Sequence, residues 1–164
     1  MMFPSLLLLL LGVYFTSGFI SFHHQKCFSR ENINMLKIAH RGYSEKYGDN
    51  NMISFREALY AGFDMIELDI LLCRSGEIVI YHDTYIEEKY INQLDYKDLK
   101  KYNIILLEEF LEEFYNKDVL IYFDLKGEHN VVYPLIDLIK RWFSEEKMKD
   151  IYISAFNRRF LDPL

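Results

Sequence analysis

Residues 36–70 read LKIAHRGYSEKYGDNNMISFREALYAGFDMIELDI, and the order of patterns within them decides the fold. Leu36–His40 is an apolar run of strand length. In ISFREALYAG the apolar residues Ile53, Phe55, Ala58, Leu59 and Ala61 include helical spacings, and Gly62 follows as a C-cap. DMIELDI then reads as a second strand. Strand, helix and strand in that order imply a parallel pair with the helix lying outside the sheet.

The same rhythm returns downstream. ILLEEFLEEF is helical, VLIYFDLK is a strand, VVYPLIDLIKRWF has helical spacing and DIYISAF is a strand. One connection breaks the rhythm: only LLCRSGE separates IELDI from IVIYHD, and a parallel crossover needs roughly a dozen residues. A hairpin around Ser75 and Gly76 is therefore expected, returning His82 close to Leu68 and Asp69.

The chain has 164 residues, 51% of them hydrophobic, enough for one core of ordinary size. Its net charge of −6 leaves no basic field for nucleic acid. Cys27 and Cys73 have no metal spacing and read as two free thiols or one bridge. Residues 1–22 open with an almost continuous apolar run, expected as a hydrophobic helix: a signal peptide, or a retained membrane anchor. Small residues Thr16 and Gly18 suit a cleavage site, so entry into the secretory pathway is favoured, with secretion or membrane association as the outcome. The oligomeric state is open.

Chemistry concentrates at the strand ends. Glu67 and Asp69 are two apart, so on a strand both carboxylates share a face while Ile66, Leu68 and Ile70 take the other. Two such carboxylates repel, and a divalent cation resolves the repulsion; hard oxygen ligands suit Mg²⁺ or Ca²⁺. Asp124 in YFDLK could supply a third oxygen, and Lys126 shares its face, placed to neutralise an anionic ligand. His40 with Arg41, and His82 with Asp83, complete the polar strand ends. His23, His24 and His129 fall outside this pattern, and EEFLEEF reads as a solvated helix face.

The ordered set HRG, GDNNMISFREALYAG, IELDI, SGEIVIYHD and FDLK, spanning about Lys37 to Phe156, resembles the glycerophosphodiester phosphodiesterase family. INQLDYKDLKKYNIILLEEFL resembles the family's insertion after the HD motif, and ISAFN its later serine-phenylalanine-asparagine strand. The resemblance implies a β/α barrel of the triosephosphate isomerase type with its site at the C-terminal strand ends. It further implies His40 and His82 as acid and base, Glu67 and Asp69 as metal ligands, and Arg41 and Lys126 as phosphate contacts. Asp49-Asn50-Asn51 stands where the family usually has Glu-Asn-Thr, which leaves Asp49 an accessory candidate. Asp124 replaces a usual glutamate, as in spider-venom sphingomyelinase D enzymes.

About five of eight β/α units are expected, so residues 36–164 read as a partial barrel domain behind the segment 1–22. The implied activity is cation-dependent hydrolysis of glycerophosphodiesters to glycerol 3-phosphate and an alcohol. The alternatives are phospholipase D-like action on lysolipids or sphingolipids, and a non-catalytic remnant.

Overall fold

The computed structural model describes residues 35–156, together with the backbone of 13–16 and 19–22. In the amino-terminal segment the described elements are two short strands, β1 (Val13–Thr16) and β2 (Phe19–Phe22), paired antiparallel. At 13–16 and 19–22 this strand pair stands where a hydrophobic helix was expected, in keeping with the aromatic and β-branched residues of VYFT and FISF; the rest of that expectation, 1–12, 17 and 18, lies outside the described residues. No helix among the described residues is long and apolar enough to cross a membrane. Cys27 lies outside the described residues, and Cys73 is a buried free thiol.

The domain proper begins with β3 (Ile38–Ala39), a short helix α1 (Ser44–Tyr47), then α2 (Met52–Tyr60) and β4 (Met65–Leu72). Helix α2 starts where expected because Asn51 closes a capping box with Ser54, and Gly62 follows its end at φ +72°. The hairpin excursion comes next: β5 (Ile78–Ile80), then β6 (Tyr85–Ile86) and β7 (Lys89–Tyr90), helix α3 (Tyr96–Leu99) and β8 (Ile105–Leu106). The chain returns to the β/α rhythm with α4 (Leu107–Phe114), β9 (Leu120–Leu125), α5 (Val132–Trp142) and β10 (Ile151–Ala155).

Four strands run parallel in the spatial order β3, β4, β9, β10. The third strand motif in chain order, IVI, is β5, which pairs antiparallel with β4 and with β8. The described residues therefore hold four parallel strands where five β/α units were expected, because the connection before β5 is too short for a crossover.

Strand alternation assigns the two faces. Ile66, Leu68 and Ile70 of β4, Ile121, Phe123 and Leu125 of β9, and Ile151 and Ile153 of β10 enter one core with Phe55 of α2, Phe110 and Phe114 of α4, and Leu135 of α5. The stacked rings of Phe110 and Phe114 (centroids 4.6 Å apart) and the edge of Phe55 on Phe110 (5.0 Å) lock α2 to α4. A second cluster, built from Leu71, Val79, Ile91, Tyr96, Leu99 and Ile104, fastens the excursion to the end of β4. The remaining positions, Glu67 and Asp69, Tyr122 and Asp124, Tyr152 and Ser154, fall on the face away from the helices.

Candidate active site

Register places the acids. Asp69 pairs with Asp124, and Asp124 with Ser154, so three polar side chains form one row across β4, β9 and β10. Glu67 sits one pleat earlier on the same face. One carboxylate oxygen each from Glu67, Asp69 and Asp124 lies within 4.8 Å of the others. Glu67 and Asp69 are 5% and 0% exposed, and Asp124 is half-buried. Burial first, and the neighbouring charge of Asp69 second, push the Glu67 carboxyl from 4.5 up to about 7.

The loop after β3 delivers the counter-charges. Arg41 has φ +58°, which turns its backbone N–H onto Glu67 Oε2 at 2.7 Å. Its guanidinium donates to Asp49 Oδ2 (2.8 Å), and its Nε stands 3.1 Å from Asp69 Oδ2. Burial works against that charge, but Asp49 and Asp69 outweigh it and hold the Arg41 pKa above its usual value. Gly42 follows at φ +77°, and a Cβ there would stand 2.4 Å from Ser54 Oγ. That close approach is what the glycine of His-Arg-Gly permits, and it seats the loop on the first turn of α2.

Lys126, just past β9, bridges the aspartates: its Nζ lies 3.2 Å from Asp69 Oδ1 and hydrogen-bonds Asp124 Oδ2. Burial opposes its charge, yet those contacts raise its pKa. Asp69 Oδ2 also accepts from Asn50 Nδ2 (2.8 Å), and Asp124 Oδ1 accepts from Ser154 Oγ (2.7 Å).

The histidines lie in the loops that follow β3 and β5. His40 is exposed on the rim of a cavity of about 280 Å³ that it lines with Gly42, Tyr43, Ser44 and Phe63. The pairing of Ile80 with Ile70, continued by a hydrogen bond from Tyr81 N to Asp69 O (3.0 Å), brings the chain back beside Asp69. Strand β5 ends before His82, whose Nδ1 is 2.8 Å from Asp83 Oδ1. Glu67, Asp69, Asp124, Arg41, Asp49 and Lys126 are thus joined in one network, and neither histidine ring hydrogen-bonds the three carboxylates.

Sequence reasoning missed Asn50 and Ser154. Asn50 looks like one turn residue in Asp-Asn-Asn, and Ser154 like an ordinary strand position. Aligning ISAF with YFDL would have put Ser154 beside Asp124.

The donor set fits a hard divalent cation. It offers three carboxylates from two strands, and the buried Asp69 Oδ1 accepts no hydrogen bond and is met only by the Lys126 charge at 3.2 Å. A cation there would also favour the charged form of Glu67 against the burial that opposes it.

The model of the glycerophosphoryl diester phosphodiesterase family matches residues 40–161. A glycerophosphodiester phosphodiesterase of Caldanaerobacter subterraneus is 31% identical over 74% of this chain and 58% of its own length. The human lysophospholipase D is 27% identical over 85% of this chain and 52% of its own. The crystal structure of glycerophosphodiester phosphodiesterase from Thermotoga maritima superposes with a TM-score of 0.68 at 26% identity, covering 80% of this chain and 59% of that one. The chain therefore spans a little over half the length of each of these three proteins.

Proposed function

The chain belongs to the glycerophosphoryl diester phosphodiesterase family, and from that premise we propose that it hydrolyses glycerophosphodiesters to glycerol 3-phosphate and an alcohol. The observation that carries this reading is the convergence of Glu67, Asp69 and Asp124 beside Arg41 and Lys126. The three carboxylates would hold Mg²⁺ or Ca²⁺, which when bound supplies charge to polarise phosphoryl oxygens and activate a nucleophile. Arg41, aimed by Asp49 and Asp69, and Lys126 neutralise the phosphodiester anion. His40 and His82 serve as acid and base. Asp83 on Nδ1 of His82 holds a proton there and leaves Nε2 to exchange one with the substrate.

Hydrolysis of glycerophosphocholine by the purified chain should stop with EDTA and resume with Mg²⁺ or Ca²⁺; activity indifferent to chelation would remove the cation from the reading. His82→Ala should lower turnover by about 10²- to 10⁴-fold while cation affinity holds.

The human relative's name favours a second reading, release of the headgroup alcohol from lysolipids. Choline release from lysophosphatidylcholine, assayed beside glycerophosphocholine, separates the two. Residues 1–22 are proposed to direct the chain to the secretory pathway or a membrane, which fractionation of cells expressing a tagged chain checks.

A further inference from the structure

Each carboxylate of the cluster spends one oxygen on an uncharged donor. Glu67 Oε2 takes the Arg41 backbone N–H (2.7 Å), Asp69 Oδ2 takes the Asn50 amide (2.8 Å) beside the Arg41 Nε at 3.1 Å, and Asp124 Oδ1 takes the Ser154 hydroxyl (2.7 Å). The opposite oxygens of the two aspartates, Asp69 Oδ1 and Asp124 Oδ2, are the pair on which the Lys126 ammonium rests. They face a common point where a positive charge is already accommodated.

We propose that Asn50 and Ser154 are positioning residues that choose which oxygen of Asp69 and of Asp124 is presented to the cation. The inference rests on the cation reading of this site. Both residues are nearly buried, at 8% and 9% exposure, and each reaches an aspartate from a different element. Asn50 is suited to its place in three ways. Its φ of +51° is a conformation asparagine tolerates better than most residues. Its backbone N–H is tied to Arg41 O at 3.0 Å. Its amide donates to Asp69 Oδ2 while its own oxygen accepts the Asp69 backbone N–H (3.3 Å). The amide thus gives and receives toward one residue; an aspartate in its place would set a second charge against Oδ2.

Ser154 is the paired neighbour of Asp124, so its hydroxyl reaches Oδ1 with no backbone adjustment. Both donors are neutral: an amide and a hydroxyl fix a carboxylate's orientation without adding to the positive charge that Arg41 and Lys126 already bring beside it. A further cationic donor at either place would hold the same geometry and weaken the site.

The test is Mn²⁺ affinity, measured by electron paramagnetic resonance of free Mn²⁺, in the full chain and in Asn50→Gly and Ser154→Ala. The glycine keeps the left-handed backbone and removes only the amide. Both variants should bind Mn²⁺ about 10- to 100-fold more weakly. The concentration of Mn²⁺ giving half-maximal activity should rise in parallel, with turnover at saturating Mn²⁺ largely retained. Asn51→Ala serves as comparator, since it strips the cap from α2 (Ser54 N to Asn51 Oδ1, 2.9 Å) without touching a carboxylate. It should lose thermal stability and keep its Mn²⁺ affinity. Wild-type affinity in both Asn50→Gly and Ser154→Ala overturns the positioning role alone. A wild-type chain that takes up no Mn²⁺ overturns the cation reading, and the role falls with it. Either variant carries the result if the other fails to fold.

Discussion

Replacing Glu67 by glutamine tests the electrostatics of the site without reference to turnover. The Glu67 carboxyl is raised from 4.5 to about 7, chiefly by burial and then by Asp69. The folded protein therefore binds a proton that the unfolded chain has already lost between those values, so stability falls as pH rises through that window. At roughly 1.4 kcal/mol per pH unit, the charged carboxylate costs the folded state about 3 kcal/mol at pH 8 and under about 1 kcal/mol at pH 5. Glutamine keeps an oxygen for the Arg41 N–H and removes the charge. In EDTA at pH 8, Glu67→Gln should therefore melt higher than the wild type by roughly 6–12 °C, taking about 2–4 °C per kcal/mol for a chain of this size. At pH 5 the two should melt within a few degrees of each other. Adding millimolar Mg²⁺ at pH 8 should reverse the order, because binding to the folded state stabilises only the chain that keeps all three carboxylates. Thermal unfolding followed by circular dichroism at the two pH values decides it. An equal gain at both pH values, or none at pH 8, would refute the claim that burial of this one charge is what the cation relieves.

Two further predictions concern the neighbours of the cluster. Lys126→Met should tighten Mg²⁺ or Mn²⁺ binding severalfold in calorimetry without phosphate, since a like charge beside the cation is removed, while turnover falls for want of a phosphate partner; weaker binding would show that the ammonium assembles the aspartates rather than competing for them. Gly42→Ala should lower stability by about 2 kcal/mol or more in denaturant melts, because φ is +77° and the new Cβ meets Ser54 Oγ at 2.4 Å; a melt unchanged from wild type would show that this loop relaxes freely.

The parts of this fold legible in sequence are those set by period. Two-residue alternation put Glu67 and Asp69 together opposite Ile66, Leu68 and Ile70, and the short LLCRSGE connection announced the reversal into β5. Local approach was harder to foresee. Ile53 fits the helical pattern yet is 58% exposed, and the neighbouring Ser54 is buried because Gly42 lets the preceding loop press onto it. The engagement of Arg41 by Asp49 and Asp69 depends on a positive φ at a residue that seldom adopts one. Asn50 and Ser154 owe their significance to partners 19 and 30 residues away, which no local pattern encodes. Register carries the chain back as far as Tyr81 beside Asp69; the strand stops before His82, whose ring meets Asp83.

The pairing of Asp69 with Asp124 and of Asp124 with Ser154 has a consequence for folding quality. Strands slide by whole residues, and a slip of one between β4 and β9 would send Asp124 toward the helices and Phe123 into the row of acids. Secondary structure content would barely change, so far-ultraviolet dichroism would be nearly blind to the error. The row itself would not be: with one acid withdrawn, the oxygens from two strands no longer share a focus. Affinity for a divalent ion thus doubles as a registration mark, reporting on a single measurement whether distant parts of the chain have come together in the right phase.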